Sequence, residues 1–490
     1  MIQRFSFGHP FPTQSVVLSL PAESGPVPFL TPDGTGWRFT LSEQAAVYGL
    51  GEMPRGINKR GWHYITNNTD ESRHSEDKLS FYGAHNFLLV RDGSTCFGLF
   101  VDFPGKVYYD IGYTRHDLFS FHTETPDYDL YLLSGGNENA ICKEFRTLIG
   151  RSYIPPKWAF GLAQSRWGYK TEEDVREVAR QYKEHDLPLD MICMDIDYMQ
   201  DYADFTVNKE RFPDLTKLSA DLKAQGIRLV PIIDAGVRID PNDPTCTEGL
   251  EKGYFCKKAD GTPFVAAVWP GKAYFADFLR PEVREWFGHK YKALTDCGIE
   301  GFWNDMNEPS LFYSPERLRA FLNDMAALRE KDNIEQEEFF PRVIGGAMGL
   351  MNSPADYASF YHEVDGQKVR HDQVHNLYGG SMTRAAGEAF ADLRPGQPLA
   401  GLVVGAAKAP HQRQDEPHDR DGKQNHCAGG RALAHGFCHR LGLAVVGRAI
   451  QRRGGTGLGG GAYRQRGRGT ALGAAVSVVR QQQAAVFAVT

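Results

Sequence analysis

Between residues 155 and 305 the chain alternates short apolar runs with longer amphipathic segments, and it does so four times over. The runs are WAFGLAQS (158–165), DMICMDID (190–197), IRLVPIID (227–234) and IEGFWND (299–305). Between them lie TEEDVREVARQYKEHD (171–186), PDLTKLSADLKAQG (213–226) and RPEVREWFGHKYKALTDCG (280–298). A short run that is apolar without alternation suits a strand covered on both faces, and the intervening segments carry apolar residues at helical spacing. The first of them opens on a Thr followed by acidic residues, a helix-capping pattern. Four strand–helix units of this kind confine the fold to a parallel sheet or barrel wrapped by helices. The stretch from about 236 to 277 is too long for an ordinary connection and reads as an insertion after the third strand.

Before residue 150 the rhythm differs. VPFLT, GWRFTL, AVYGLG, NFLLVRD, CFGLFVDF, KVYYDI and LFSFHT alternate with Gly, Asp, Asn and Pro turns, which predicts an antiparallel β-sandwich over 1–150. At 490 residues the chain exceeds one ordinary domain. The net charge of −6 argues against a nucleic-acid partner. The apolar run near Val16–Leu20 is too brief for a signal peptide or a membrane span, so a cytoplasmic location is expected, with the oligomeric state left open. The eight cysteines lack metal or framework spacing and read as free thiols, Cys193, Cys427 and Cys438 among them.

The ends of the apolar runs carry the chemistry. Strand two ends at Asp195 and Asp197, strand three at Asp234 and strand four at Asp305, so carboxylates converge on the face where such folds keep their active sites. A single strand-end aspartate often caps a helix or binds a backbone amide, and for Asp197 and Asp234 that reading weighs as much as the functional one. Three on one rim, with Trp167, Trp269 and Trp303 near them in the pattern, suit a sugar: its C–H faces lie on indole while its hydroxyls donate to carboxylates. Asp305, Asn307 and Glu308 also form an oxygen-ligand set of the kind magnesium or calcium accepts, a competing reading weakened because alternate residues of a strand point to opposite faces.

Five segments in order, WAFGLAQSRWGY (158–169), MDIDYMQDYADFTVNKERFPD (194–214), VWPGKAYFADF (268–278), GFWNDMNEPS (301–310) and HNLYGGSMTRAAGEAF (375–390), together resemble glycoside hydrolase family 31, the family of α-glucosidases and α-xylosidases. The resemblance covers roughly residues 40 to 395. It implies a retaining glycosidase that acts on terminal α-glucosidic bonds of short oligosaccharides without cofactor or metal. An α-xylosidase and a non-catalytic sugar-binding remnant are the alternatives. It makes Asp305 the nucleophile and Glu308 a neighbour that orients or tunes it. Asp195 then grips sugar hydroxyls, with Trp269 and Met306 lining the first subsite. Arg166, Trp167 and Asp234 are weaker carry-overs, and Asp70 in TNNTDES resembles a loop aspartate that reaches over the active site, although a plain turn is its alternative. Hydrogen bonds from Asn304 or Asn307 are expected to keep Asp305 ionised.

The family's acid/base motif of G-D-N type has no counterpart here. After about residue 396 the text changes: 13 Lys and Arg stand against 4 Asp and Glu, a net of +9, and no acidic residue follows Asp421. GGTGLGGGAYRQRGRG reads as a flexible basic tail, or, with the whole segment, as translation out of frame. Asp415, Asp419 and Asp421 lack strand context and are not nominated as the acid. The expected architecture is therefore α/β, a sandwich followed by half of a (β/α)8 barrel over 151–396, with strand four left unpaired at its edge and the chain unstable for that reason.

Overall fold

The computed structural model describes residues 1–71, 74–393 and 400–403. The first domain consists of two five-stranded antiparallel sheets. One contains Ile2–Phe7, Tyr128–Ser134, Thr95–Asp102, Ala84–Asp92 and Ala46–Gly51 in that order; the other contains Thr31–Asp33, Gly36–Thr40, Leu118–Thr123, Val107–Ile111 and Trp62–Thr66. Alternation decides what each strand buries. In Val107–Ile111 the odd residues Val107, Tyr109 and Ile111 are buried while Tyr108 and Asp110 are partly exposed. The inward residues of both sheets share one core: Val47, Leu88, Val90, Leu99 and Val101 from the first, Phe39, Tyr109, Phe119 and Phe121 from the second. Full burial of each such side chain contributes about 1.5–3 kcal/mol before entropy is counted. The helix Glu138–Ile149, capped by Asn137, closes the domain by stacking Phe145 on Phe87 with ring centres 3.8 Å apart.

The second region is built on parallel strands. Ala163–Arg166, Met191–Met194, Arg228–Asp234 and Gly301–Asp305 lie side by side in chain order, each parallel to the next. The helices Glu172–Glu184, Leu215–Ala224 and Pro281–Lys290 fall where the periodicity places them, and Thr171 with Asp174 forms the reciprocal capping box. Both faces of the sheet are covered, which is why the strands lack alternation: Met191 to Met194 are all buried. The segment after strand three folds on itself, with Gly236–Arg238, Gly271–Phe275 and Val265–Val268 in a small antiparallel sheet beside the helix Pro244–Glu251.

Two features differ from the expectation. The edge of strand four is not open: Ala400–Val403 pairs with it in parallel, Gly301 opposite Ala400 through Asn304 opposite Val403. A fifth strand thus begins where the sequence reads as a foreign tail, and the argument for instability from an open edge at strand four fails. The rest of that tail, Cys427, Cys438 and the three aspartates included, lies outside the described residues. The second difference is an excursion between strand four and the helix Tyr378–Leu393, which holds the helix Pro315–Arg329 and the hairpin Phe360–Val364 with Gln367–Arg370. Tyr378–Leu393 packs closely on Pro281–Lys290, and only a glycine fits the crossing: a Cβ on Gly288 would lie 2.2 Å from the Ala385 oxygen. The six described cysteines outside the tail are free thiols.

Candidate active site at the strand ends

The parallel register brings the predicted carboxylates to one end of the sheet. Asp234 stands directly opposite Asp305 on adjacent strands, and Asp195 follows Met194, which stands opposite Arg166. Strand four turns immediately after Asp305, where Met306 adopts a left-handed φ of 55°, an uncommon conformation for a side chain of its size. The turn lets the Met306 amide donate to Asp305 Oδ1 at 2.7 Å. The Ile196 amide donates to Asp195 Oδ1 in the same way at 2.8 Å. Asp70 arrives from the first domain, where its Oδ2 accepts from the Ser310 hydroxyl at 2.8 Å.

These carboxylates share one field. Asp305 is pushed up to about 7, first by burial and then by Asp195 and Asp70, against the pull of the Met306 amide. Asp195 rises to about 6 through burial, with Asp197 adding to it. Glu308 is buried and raised well above its ordinary value by burial, then by Asp305 and Asp70. Asp234, buried with neither oxygen hydrogen-bonded among the described residues, is raised by burial and then by Asp204, whose Oδ1 accepts from the Asp234 amide at 2.9 Å. Clustered acids with perturbed titration are the usual signature of a chemical site.

The expected support for an ionised Asp305 is absent. Asn304 faces away and accepts from the Tyr291 hydroxyl, and the buried Asn307 amide has no partner among the described residues. Without those donors, desolvation governs the titration of Asp305. Trp303 is buried in the barrel core, and its side chain acts on Asp305 as a hydrogen-bond donor that opposes the upward shift. Met306 belongs to a buried apolar cluster with Phe264, Val268, Phe275 and Leu311 beneath the turn. Trp167 and Trp269 do form an open aromatic face: 48 % and 40 % exposed, their rings lie 5.7 Å apart, and Phe312 meets Trp269 edge-on at 5.0 Å. Arg166 is exposed at the end of strand one.

Sequence reasoning missed Asp204, Ser310 and Tyr82. Asp204 sits within a quoted motif, but nothing local says that it binds the Asp234 amide; Tyr82, whose hydroxyl donates to the Glu71 carbonyl at 2.9 Å, feels Asp70, Glu308 and Asp305 across the domain boundary. The rim carboxylates do not form a metal-type cluster among the described residues. The grouping that does, Cys256, Asp277 and His362, lies elsewhere, and its Asp277–His362 separation of 2.6 Å is that of a hydrogen bond. Two ligands of one tetrahedral zinc stand roughly 3.3 Å apart.

Residues 152–408 match the glycosyl hydrolases family 31 TIM-barrel domain, and residues 23–110 match the glycosyl hydrolase 31 N-terminal galactose mutarotase-like domain. The chain belongs to glycoside hydrolase family 31. Within the family it is 38 % identical over 330 residues to alpha-glucosidase 2 of Bacillus thermoamyloliquefaciens, spanning 67 % of this chain and 41 % of the relative. It is 27 % identical over 340 residues to an alpha-glucosidase of Saccharolobus solfataricus, spanning 69 % and 46 %. Among solved structures, a family 31 dextranase of Flavobacterium johnsoniae with bound glucose superposes with a TM-score of 0.60 at 23 % identity, over 78 % of this chain and 42 % of that one. A soil-metagenome family 31 α-xylosidase superposes at 0.56 with 20 % identity, over 77 % and 48 %; these two likenesses speak to the fold alone. The chain spans less than half the length of each of these relatives.

Proposed function

We propose that this chain carries the nucleophile half of a retaining α-glucosidase acting on terminal bonds of short oligosaccharides, with Asp305 as the attacking carboxylate. The observation that carries the reading is the position of Asp305: it ends the fourth parallel strand, opposite Asp234, in a field made by Asp195 and Asp70. A retaining enzyme needs an ionised carboxylate to attack the anomeric carbon and a proton donor for the departing oxygen. Asp305 fits the first role. It is partly exposed at the strand end, with one oxygen fixed by the Met306 amide.

Asp195 then accepts sugar hydroxyls, Trp167 and Trp269 offer the sugar an apolar face, and Glu308, whose buried carboxyl is raised more strongly than that of Asp305, resists ionisation behind the turn. The positive charge that develops at the anomeric carbon in the transition state offsets the desolvation that raises Asp305, so its ionised form is favoured most when it is needed.

The test uses a substrate that needs no acid. In a 5-fluoro-α-glucosyl fluoride the anomeric fluoride leaves without protonation; an Asp305 oxygen bonds to C1 as the C1–F bond breaks, and fluoride departs with the electron pair. The expected result is a mass increase of one fluoroglucosyl group on the peptide that contains Asp305. Labelling elsewhere, or none, overturns the assignment. Faster labelling by the xylosyl reagent than by the glucosyl one would move the reading to an α-xylosidase.

A further inference from the structure

Away from the carboxylate rim, three buried histidines stand in a row. His362 Nδ1 lies 2.6 Å from Asp277 Oδ1, and His362 Nε2 lies 2.9 Å from His371 Nδ1. His371 Nε2 lies 2.9 Å from His375 Nδ1, and His375 Nε2 lies 2.7 Å from the main-chain oxygen of Asn68. Each ring is at most 3 % exposed. The row thus runs from the strand-three insertion, across the excursion after strand four, to a loop of the first domain.

Counting protons constrains this row. Each of its four contacts requires one hydrogen between the heavy atoms, because two facing lone pairs at such distances repel. A neutral imidazole carries one N–H, so three neutral rings supply three. The Asn68 carbonyl only accepts, and so does an ionised Asp277. A fourth proton is therefore needed. The count holds for the ring orientations of this row, in which both nitrogens of every ring are engaged.

The surroundings locate the extra proton. Burial holds His375 down to about 4 and His371 well below the ordinary imidazole value, so both are neutral at pH 7. Read back from the Asn68 carbonyl, which only accepts, neutral His375 and His371 each donate through Nε2 and accept through Nδ1, so the fourth proton is the one lying between His362 Nδ1 and Asp277 Oδ1. The other Asp277 oxygen accepts from the Glu363 amide at 2.8 Å. Cys256 Sγ stands 3.7 Å from His362 Nδ1, with Arg280 acting on that thiol. Tyr357 packs on His371 and His375, Tyr378 and Phe360 pack on His371, and Lys106 and Asp372 act on His375 with opposite signs.

The end of the row fixes a loop that matters to the site. The Asn68 amide donates to Asn376 Oδ1 at 2.9 Å, and Asn376 Nδ2 donates to the Thr66 and Gly105 carbonyls, so residues 66–68 are held from two adjacent positions, 375 and 376. Two residues further on, Asp70 meets Ser310 and acts on Asp305. We propose that His362, His371 and His375 form a strap with one excess proton that positions the Asn68 loop, and with it Asp70, over the carboxylate rim. The role in sugar binding rests on the glycosidase reading. When the excess proton leaves, no arrangement of three N–H groups preserves all four contacts, and one must open.

Three measurements on the full chain test this. Low-field proton spectra of the unmutated protein with nitrogen-15 histidine should show four slowly exchanging bridging protons, three on ring nitrogens and the fourth between His362 and Asp277, that disappear together in one alkaline transition. Three such protons, independent titration of the rings, or one equivalent of tightly bound zinc at His362 would overturn the excess proton. In hydrogen exchange, His375→Gln, which keeps a donor towards Asn68 and an acceptor towards His371, should leave the Asn68 amide near its original rate. His375→Phe should speed that amide about tenfold or more while the strand residue Ile232 is unchanged. Equal behaviour of the two variants would overturn the positioning role, and if His375→Phe does not fold, rapid exchange at Asn68 in His375→Gln would do so. With the fluorosugar, His375→Phe should raise the half-saturating concentration more than it lowers the limiting rate. If the unmutated chain is not labelled at all, the glycosidase reading fails, and the proton count and exchange still decide the strap.

Discussion

Glu248 and Asp305 are both acidic side chains of the barrel region, and they titrate in opposite directions. Glu248 lies on the helix Pro244–Glu251 between Lys252 and Lys290, at 2.6 and 2.5 Å, and is pushed down to about 2. Asp305 lies at a strand end among other acids and is pushed up to about 7. The outer helices repeat the first arrangement, as where Arg180 meets both Glu177 and Glu184. Paired acids on the outside hold their charge easily, whereas the unpaired acids at the strand ends resist it. Folding alone gives no reason to gather such acids in one place, so the contrast separates surface electrostatics from chemistry.

The largest effect that would break the contrast comes from Asp305→Ala, which should lower the rate of fluorosugar labelling on the order of a thousandfold or more. Glu248→Ala should leave that rate unchanged, and mass spectrometry of labelled peptides measures both. Next comes pH. Only ionised Asp305 attacks, so labelling should rise on the order of a hundredfold between about pH 5 and about pH 8, bending near 7. A profile already flat above about pH 5 would show that Asp305 titrates like an ordinary carboxylate.

The same shift has a consequence for stability. The folded pKa of Asp305 is raised above its unfolded value, so the folded state binds the proton more tightly and stability falls as pH rises from about 4 to about 7. Glu248 behaves inversely: its folded pKa is depressed, and its contribution is present above its unfolded value and lost as pH falls toward about 2. Thermal unfolding of Asp305→Asn against Glu248→Gln across pH separates the two slopes. A smaller effect is expected at the aromatic face, where Trp269→Ala should weaken binding of a glucose-like inhibitor about fivefold by calorimetry, through loss of stacking. The smallest is Glu248→Gln at neutral pH, which should cost under about 1 kcal/mol and vanish in high salt, because its two ion pairs are solvent-accessible.

Much of this was legible in residues 155–305. Continuous apolar runs identify strands covered on both faces, and a Thr with an acidic residue three positions on marks a helix start, because both signals are local and physical. The convergence of Asp195, Asp234 and Asp305 was legible too, since a parallel sheet puts every strand's end on one face. The direction of the Asp305 shift was not. Its sign depends on whether Asn304 and Asn307 turn toward it, and they do not; the site is therefore governed by burial. The burial of Trp303 was not legible either: a strand residue faces the core or the rim according to pleat and sheet twist, which spacing alone does not resolve.

By itself the sequence determined the four parallel strands with the helices between them, the antiparallel character of the first domain and the carboxylates at the strand ends, because these follow from periodicity and from chain direction. Only the tertiary structure decided that Ala400–Val403 pairs with strand four, that Asp70 reaches Ser310 across 240 residues, and that three histidines join Asp277 to Asn68. Each of these is a contact between distant segments. No local pattern encodes such a contact, because its free energy depends on what the rest of the fold excludes from water.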